Sequence, residues 1–278
     1  EVNQLRIEGE LVEPLLAQLY RQSSSDLFFL ANTPPIQGLM IADNLNDSVN
    51  YQLWQGRLEK NFSEMLKSKP GYSQISYTGI ADNGFEMVTV MKNVGGVEVI
   101  PVSKRQNNGY SAHFQHTIRL NPGEIHFSAV ELNRKNNQIV IPHQPIIQLG
   151  TPIYNPASGD AFGIVVMSVD FGFFIEELTK IDLPNVNLFL ANQAGDYLYH
   201  PDPRLSFGFD LGERHLLQQT FPALTQAVES GIKAREFSAL SDDQNQQNAA
   251  YFQRIELAKY GSSQPLLLLL QPRHNTAD

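Results

Sequence analysis

Apolar residues along the first thirty positions recur in the rhythm of one helix face. Leu5, Val12, Leu16, Leu19, Leu27 and Leu30 fall three, four, seven or eight residues apart. The spacing predicts a helix over 5–31, about 40 Å long if unbroken. Gly9 and Pro14 complicate it, because an interior proline removes a backbone bond and crowds the preceding turn; a kink or a fresh start is expected near Pro14. Thr33-Pro34-Pro35 should end it. A second helix is predicted after Asp47 or Ser48 as N-cap, with Trp54, Leu58, Phe62, Met65 and Leu66 on one face and Lys67 and Lys69 ahead of Pro70-Gly71.

Beyond Gly71 the pattern turns to short β-rich runs divided by turn residues. Strands are expected at 72–80, 85–91, 97–102, 124–129, 138–141, 146–154 and 162–170, the last two joined by the turn Asn155-Pro156-Ala157-Ser158-Gly159-Asp160. They predict one antiparallel sheet of about five strands, followed by a short helix over 171–180. The second half repeats the plan: a hairpin over 186–200 through Asn192 to Asp196, helix within 216–230 interrupted by Pro222, and strands at 233–240, 249–257 and 264–271. Helix, meander, linker helix and smaller meander make an α+β chain with two sheet domains in tandem. The expected boundaries are residues 1–70 for the helical part packed on the first sheet, 71–178 for the first sheet domain and 179–278 for the second.

Composition narrows the function. The 278 residues are 42% hydrophobic, with 16 Phe and 10 Tyr, enough for real cores and against global disorder. A formal net charge of −9 repels phosphate backbones, so nucleic acid is not an expected partner. Without a cysteine there is no disulfide, thiolate metal site or cysteine nucleophile. No run approaches the roughly 20 apolar residues of a membrane helix, and no charged-then-apolar leader opens the chain; both ends read as cut from something longer.

Enzyme signatures are missing: no Gly-x-x-x-x-Gly-Lys-Ser/Thr, Gly-x-Gly-x-x-Gly, His-Glu-x-x-His or Gly-x-Ser-x-Gly run occurs. No catalytic residue, cofactor or metal site is therefore assigned. His113-x-x-His116 would place two imidazoles on one helix face, but without a nearby acidic ligand it reads as a pair of surface or pocket histidines. His200 and Asp202 read as part of a Pro-bracketed turn. Charge placement is more informative, since no Asp or Glu lies between Glu98 and Glu124 while Lys104, Arg105, His113, His116 and Arg119 do. Such a stretch either receives a small anion or is a solvated face. Tyr110, Phe114 and Phe127 in and beside it read more naturally as core than as a ligand platform.

The ordered segments carry a resemblance. Phe28-Phe29-Leu30-Ala31-Asn32-Thr33-Pro34-Pro35 closes the first helix. Tyr72-Ser73-Gln74-Ile75-Ser76-Tyr77 and Asn83-Gly84-Phe85-Glu86 form the first hairpin. Pro122-Gly123-Glu124-Ile125-His126-Phe127-Ser128, Glu131-Leu132-Asn133 and Pro145 to Ile153 follow, and then Phe162-Gly163-Ile164-Val165-Val166 and Gly195 to Asp202. Over almost the whole chain this order resembles the extracytoplasmic double Cache sensor modules, the tandem PDC or PAS-like domains of bacterial histidine kinases and related receptors. The resemblance implies a periplasmic domain anchored by flanking membrane helices, a ligand-binding membrane-distal domain, a smaller proximal one, and a homodimer signalling through its long first helix. A free solute-binding protein, a sensor of a diguanylate cyclase or chemoreceptor, a hydrolase using Glu131 with His126, and a protein-binding module are the alternatives.

The residues expected at the ligand pocket are Tyr77, Lys104, Arg105, Tyr110, Ser111, His113, Phe114, Ser128, Glu131 and Asn133. Amino-acid-binding members resemble one another in an Arg, Trp and Tyr triplet and a later Asp. Those positions fall here on Ser111, His113, Phe114 and Asn133, and Gln148 stands where many members carry Arg. The ammonium partner is lost, so the resemblance points to another small molecule, such as a small organic anion.

Overall fold

The structure, a computed structural model, describes residues 1–135, 137–180 and 186–273. Helix α1 (Val2–Ala31) runs through Pro14 instead of restarting there. Pro14 lies on its exposed side, where water can serve the carbonyl that the missing N–H leaves open. Thr33-Pro34-Pro35 ends α1 but also begins a helix that the periodicity did not reveal, α2 (Pro34–Asn44). Two prolines suit that first turn, since their φ is already helical and the N–H they lack would have no partner anyway. Helix α3 (Ser48–Ser68) starts where expected, with the Asp47 carboxylate accepting from the Asn50 N–H at 3.1 Å, and fully buries Leu58, Phe62 and Leu66.

The first sheet contains β1 (Tyr72–Gly79), β2 (Glu86–Asn93), β3 (Gly96–Val99), β4 (His126–Phe127), β5 (Pro145–Tyr154) and β6 (Ala161–Asp170), with helix α4 (Ala112–Thr117) between β3 and β4. These strands run in the order β3–β2–β1–β6–β5–β4, every neighbour antiparallel. The strand expected over 124–129 shrinks to two residues. Its first residues belong to a turn, in which Gly123 adopts φ +85° and the Glu124 carboxylate accepts from the Asn121 N–H at 2.8 Å.

After α5 (Phe171–Thr179) the second sheet forms from β7 (Val186–Ala191), β8 (Tyr197–Tyr199), β9 (Ala234–Ser241), β10 (Gln247–Ile255) and β11 (Leu266–Pro272). The order is β8–β7–β11–β10–β9, again wholly antiparallel. Leu266 to Leu270 therefore make its middle strand, and all five are buried.

Two compact units result. One comprises Tyr20–Ala129 and Asn133–Phe173; the other comprises Glu1–Leu19, Val130–Leu132 and the chain from Phe174 onward. The expectation that all of residues 1–70 would pack on the first sheet is corrected by the opening of α1. A Cβ on Gly9 would lie 2.5 Å from the Tyr251 ring of β10, so only glycine admits this approach. Gln253 of β10 donates to the Glu13 carboxylate at 3.0 Å, and Leu5, Val12 and Leu16 are buried.

Candidate functional site

Cross-strand partners in an antiparallel sheet share a face, which makes the register of the first sheet a map of its two surfaces. Ser76 pairs with Thr89, Thr78 with Glu86, and Gln74 with both Met91 and Ser168. These residues form one strongly polar face. Ile75, Tyr77, Val88 and Val90 form the other, which is fully or almost fully buried.

The polar face floors a cleft of about 340 Å³. Gln74, Glu86, Thr89 and Met91 supply the floor; Ile100, Lys104 and Gln106 form one wall; Asn133, Arg134, Lys135 and Val140 to Gln144 form another. Strand geometry fixes the floor, while the walls come from two loops far apart in sequence.

Glu86 ties the first loop down. Its carboxylate is 3% exposed and accepts from Thr89 Oγ1 at 2.9 Å, from the Gln106 N–H at 3.1 Å and from Asn108 Nδ2 at 2.9 Å. Among the described residues it has no cationic partner. Three neutral donors hold its charge, which is enough to satisfy a buried carboxylate and to fix the loop against β2. Glu86 was not among the expected site residues; the only sign of it in the sequence is a lone acid that opens a strand after a turn.

Of the expected residues, the cleft gathers Lys104 and Asn133. Lys104 ends a short 3₁₀ turn, Val102–Lys104, and is exposed; Asn133 Nδ2 donates to Gln144 Oε1 at 3.2 Å. Arg105 does not line the cleft. Its side chain is 4% exposed, its Nη2 lies 3.1 Å from Glu59 Oε1 on α3, its Nε donates to the Ile100 carbonyl, and its Nη1 donates to the Met87 carbonyl. Every donor edge of that guanidinium is thus spent on the fold.

Tyr77 is buried on the opposite face, stacked near Phe162. Tyr110 is 90% exposed, Ser111 caps α4 through the Phe114 N–H at 3.1 Å, and Phe114 is core. The Ser128 hydroxyl accepts from the Gln148 N–H at 2.9 Å and donates to the Ala129 carbonyl, a strand-edge role. Glu131 falls in the other unit.

His113 lies against β5, its Nε2 2.8 Å from where a Cβ on Gly150 would stand, and both ring nitrogens are buried without a hydrogen-bond partner. His126 from β4 stacks beside it, ring centroids 5.0 Å apart, and His116 stands 5.0 Å from His126. Burial, then His126 and His116, push the His113 pKa down to about 3; burial and His116 lower that of His126. Three imidazoles thus cluster, yet among the described residues no three His, Asp or Glu side chains are arranged to hold a metal ion. His200 and Asp202 meet only as a turn, with the Asp202 N–H donating to His200 Nδ1 at 2.9 Å while the carboxylate pairs with Arg204.

The sequence model of the bacterial histidine kinase sensor domain matches residues 41–258. The chain belongs to this family. It is a sensor domain, a receiving and non-catalytic module. No curated protein sequence matches it.

Solved structures share the fold at low identity. A domain of a sensory box/GGDEF family protein from Vibrio parahaemolyticus is 17% identical, covering 98% of each chain with a TM-score of 0.74. The extracellular domain of vpHK1S-Z8, described as a histidine kinase, is 16% identical over 98% of this chain and 93% of its own, with a TM-score of 0.73. The ligand-binding domain of the Campylobacter jejuni chemoreceptor Tlp3, solved with 4-methylisoleucine, is 12% identical over 98% and 89%, with a TM-score of 0.59. Sensors of three output types thus share this arrangement of α1 and two antiparallel sheets. Among the described residues no helix is long and apolar enough to cross a membrane.

Proposed function

We propose that the chain is the periplasmic sensing part of a membrane-anchored histidine kinase and that a small organic anion binds in the cleft on the polar face of the first sheet. The cleft's own chemistry carries this reading. Lys104 and Lys135 line it, and among the described residues neither ammonium has an ion-pair partner. Gln74, Gln106, Asn133 and Gln144 offer neutral donors and acceptors around them, with Met91, Ile100 and Val140 for an apolar portion. Few polar groups converging in a partly apolar hollow are what a small-molecule site requires. The one carboxylate on the floor, Glu86, is already occupied by Thr89, Gln106 and Asn108, so it fixes the pocket's shape instead of recruiting an ammonium.

The ligand then acts by population shift. In a homodimer it biases two arrangements of α1, by no more than its difference in affinity for them.

A thermal-shift panel of small mono- and dicarboxylates tests the site. An anion at a hundred times its dissociation constant should stabilise the protein by about 2.7 kcal/mol. Lys104→Gln should weaken that anion by about tenfold, the worth of one charge-assisted contact. A panel without a stabilising anion, or one whose effect Lys104→Gln leaves intact, counts against the reading.

A further inference from the structure

The polar face of the first sheet extends beyond the anion cleft. Through the strand register one row crosses it from Thr89 to Ser76, Val166, Gly150 and His126. Thr89 floors the cleft at one end of this row, and helix α4 packs on β5 and β4 at the other. Gly150 is what admits the helix: a Cβ there would stand 2.5 Å from Thr117 Oγ1 and 2.8 Å from His113 Nε2.

His113 is the weak point of that contact. Phe114 and Thr117 hold α4 down by burial, whereas both ring nitrogens of His113 are buried and, among the described residues, neither has a hydrogen-bond partner. A buried polar group left unpaired destabilises the place it occupies, and an apolar ring of similar size would pack there without that cost. The titratable groups that act on His113 are imidazoles: His126 from β4 and His116 from its own helix. From β5 it meets the bare backbone of Gly150. Glu124, the acid nearest in sequence to His126, turns its carboxylate to the Asn121 N–H, and Arg119 beyond α4 is exposed. A proton on His113 or His126 thus gains no counter-charge from the elements packed around it.

The same helix anchors the loop that walls the cleft. The Ser111 hydroxyl caps α4 by accepting from the Phe114 N–H, the Ser111 N–H donates to the Asn108 carbonyl at 2.9 Å, and Gln115 Nε2 donates to the Gly109 carbonyl at 2.6 Å. Nearer the cleft, Glu86 holds Gln106 and Asn108. The loop is therefore fastened twice, once by a satisfied carboxylate and once by a helix that carries an unsatisfied imidazole.

We propose that α4 is an acid-released latch: when His113 and His126 take up protons, the helix leaves β4 and β5 and the wall bearing Lys104 and Gln106 loosens, so that the domain responds to acidity as well as to its ligand. The consequence for ligand binding rests on the anion reading of the cleft; the release itself does not. Its direction follows from where a proton is welcome. Burial, then His126 and His116, hold the docked His113 to a pKa of about 3, and burial lowers that of His126 too, whereas a histidine in water binds a proton below about 6.5. Acid therefore favours the released form. From pH 7 to pH 5, His113 alone should raise the ratio of released to docked helix by about 25-fold.

Hydrogen-exchange mass spectrometry of the intact chain at pH 7 and pH 5, corrected for intrinsic exchange rates, tests the latch without any ligand, so its failure and that of the anion site are separate results. At pH 5 residues 106–118 should exchange faster than β1, β5 and β6, and without the acceleration by low denaturant that global unfolding gives those strands. His113→Phe, which keeps a ring and removes the proton site, should abolish the acid response of residues 106–118. His126→Asn should reduce it, and carries the test should His113→Phe fail to fold. Unchanged protection of residues 106–118 at pH 5, exchange there that only follows the strands in rate and denaturant dependence, or an acid response that the variants leave intact would overturn the proposal.

Discussion

Glu86 and His113 show how a single side chain shapes the first sheet's polar face, one by being satisfied and the other by not being. Glu86→Gln keeps the size but turns an NH₂ toward at least one of the three donors that the carboxylate accepted. The expected cost is about 1–3 kcal/mol, with faster hydrogen exchange at Gln106 and Asn108, readable by denaturant unfolding and exchange mass spectrometry. His113 has a depressed pKa, so the folded state keeps it neutral while the unfolded chain takes up a proton below about 6.5. Its stability contribution is therefore complete above that value and is lost as pH falls, by at most about 1.4 kcal/mol per pH unit from this group. His126 shifts in the same direction. His113→Leu should flatten the dependence of the denaturation midpoint on acidification; an unchanged slope would mean that the cluster does not titrate with folding. Glu86 was not conspicuous in the sequence, because a buried acid held by neutral donors looks like any other Glu until its neighbours are known; His113 was expected at the pocket, but its burial without a hydrogen-bond partner shows only in the fold.

Elements whose character is written locally were legible. The limits of α3 follow from Asp47 as cap and from Leu58, Phe62 and Leu66 on one face, and Asp47→Ala should cost about 1 kcal/mol in thermal or chemical unfolding. The long strands β1, β5 and β6 likewise appear within a residue or two of their predicted ranges. Proline was harder to read, since its effect depends on where water is. Pro14 sits exposed inside a continuous α1, and Pro34-Pro35 opens a helix that the sequence pattern took for a stop. Gly9 is legible only with β10 in place. Gly9→Leu should destabilise by about 1–3 kcal/mol through overpacking against Tyr251, while Gly56→Leu on α3, with open space at its Cβ, should be tolerated.

For the molecule as a whole, two successive antiparallel sheets were foreseeable from strand-and-turn texture, and the family assignment agrees with them. The cleft was not, because Gln74, Gln106 and Asn133 reach it from three separated segments and no local pattern announces their meeting. Arg105 illustrates the same gap: a basic residue in an acid-free stretch suggested a ligand contact, whereas Glu59 on α3 claims it. The place of β11 has a further consequence. Strands β7 and β10 hydrogen-bond to it and not to each other, so the strand that comes last in sequence order is the seam of its sheet. While the polypeptide is being made, the second sheet has to wait with two unpaired edges until Leu266 to Leu270 arrive, whereas strands β1 to β6 already have all their partners.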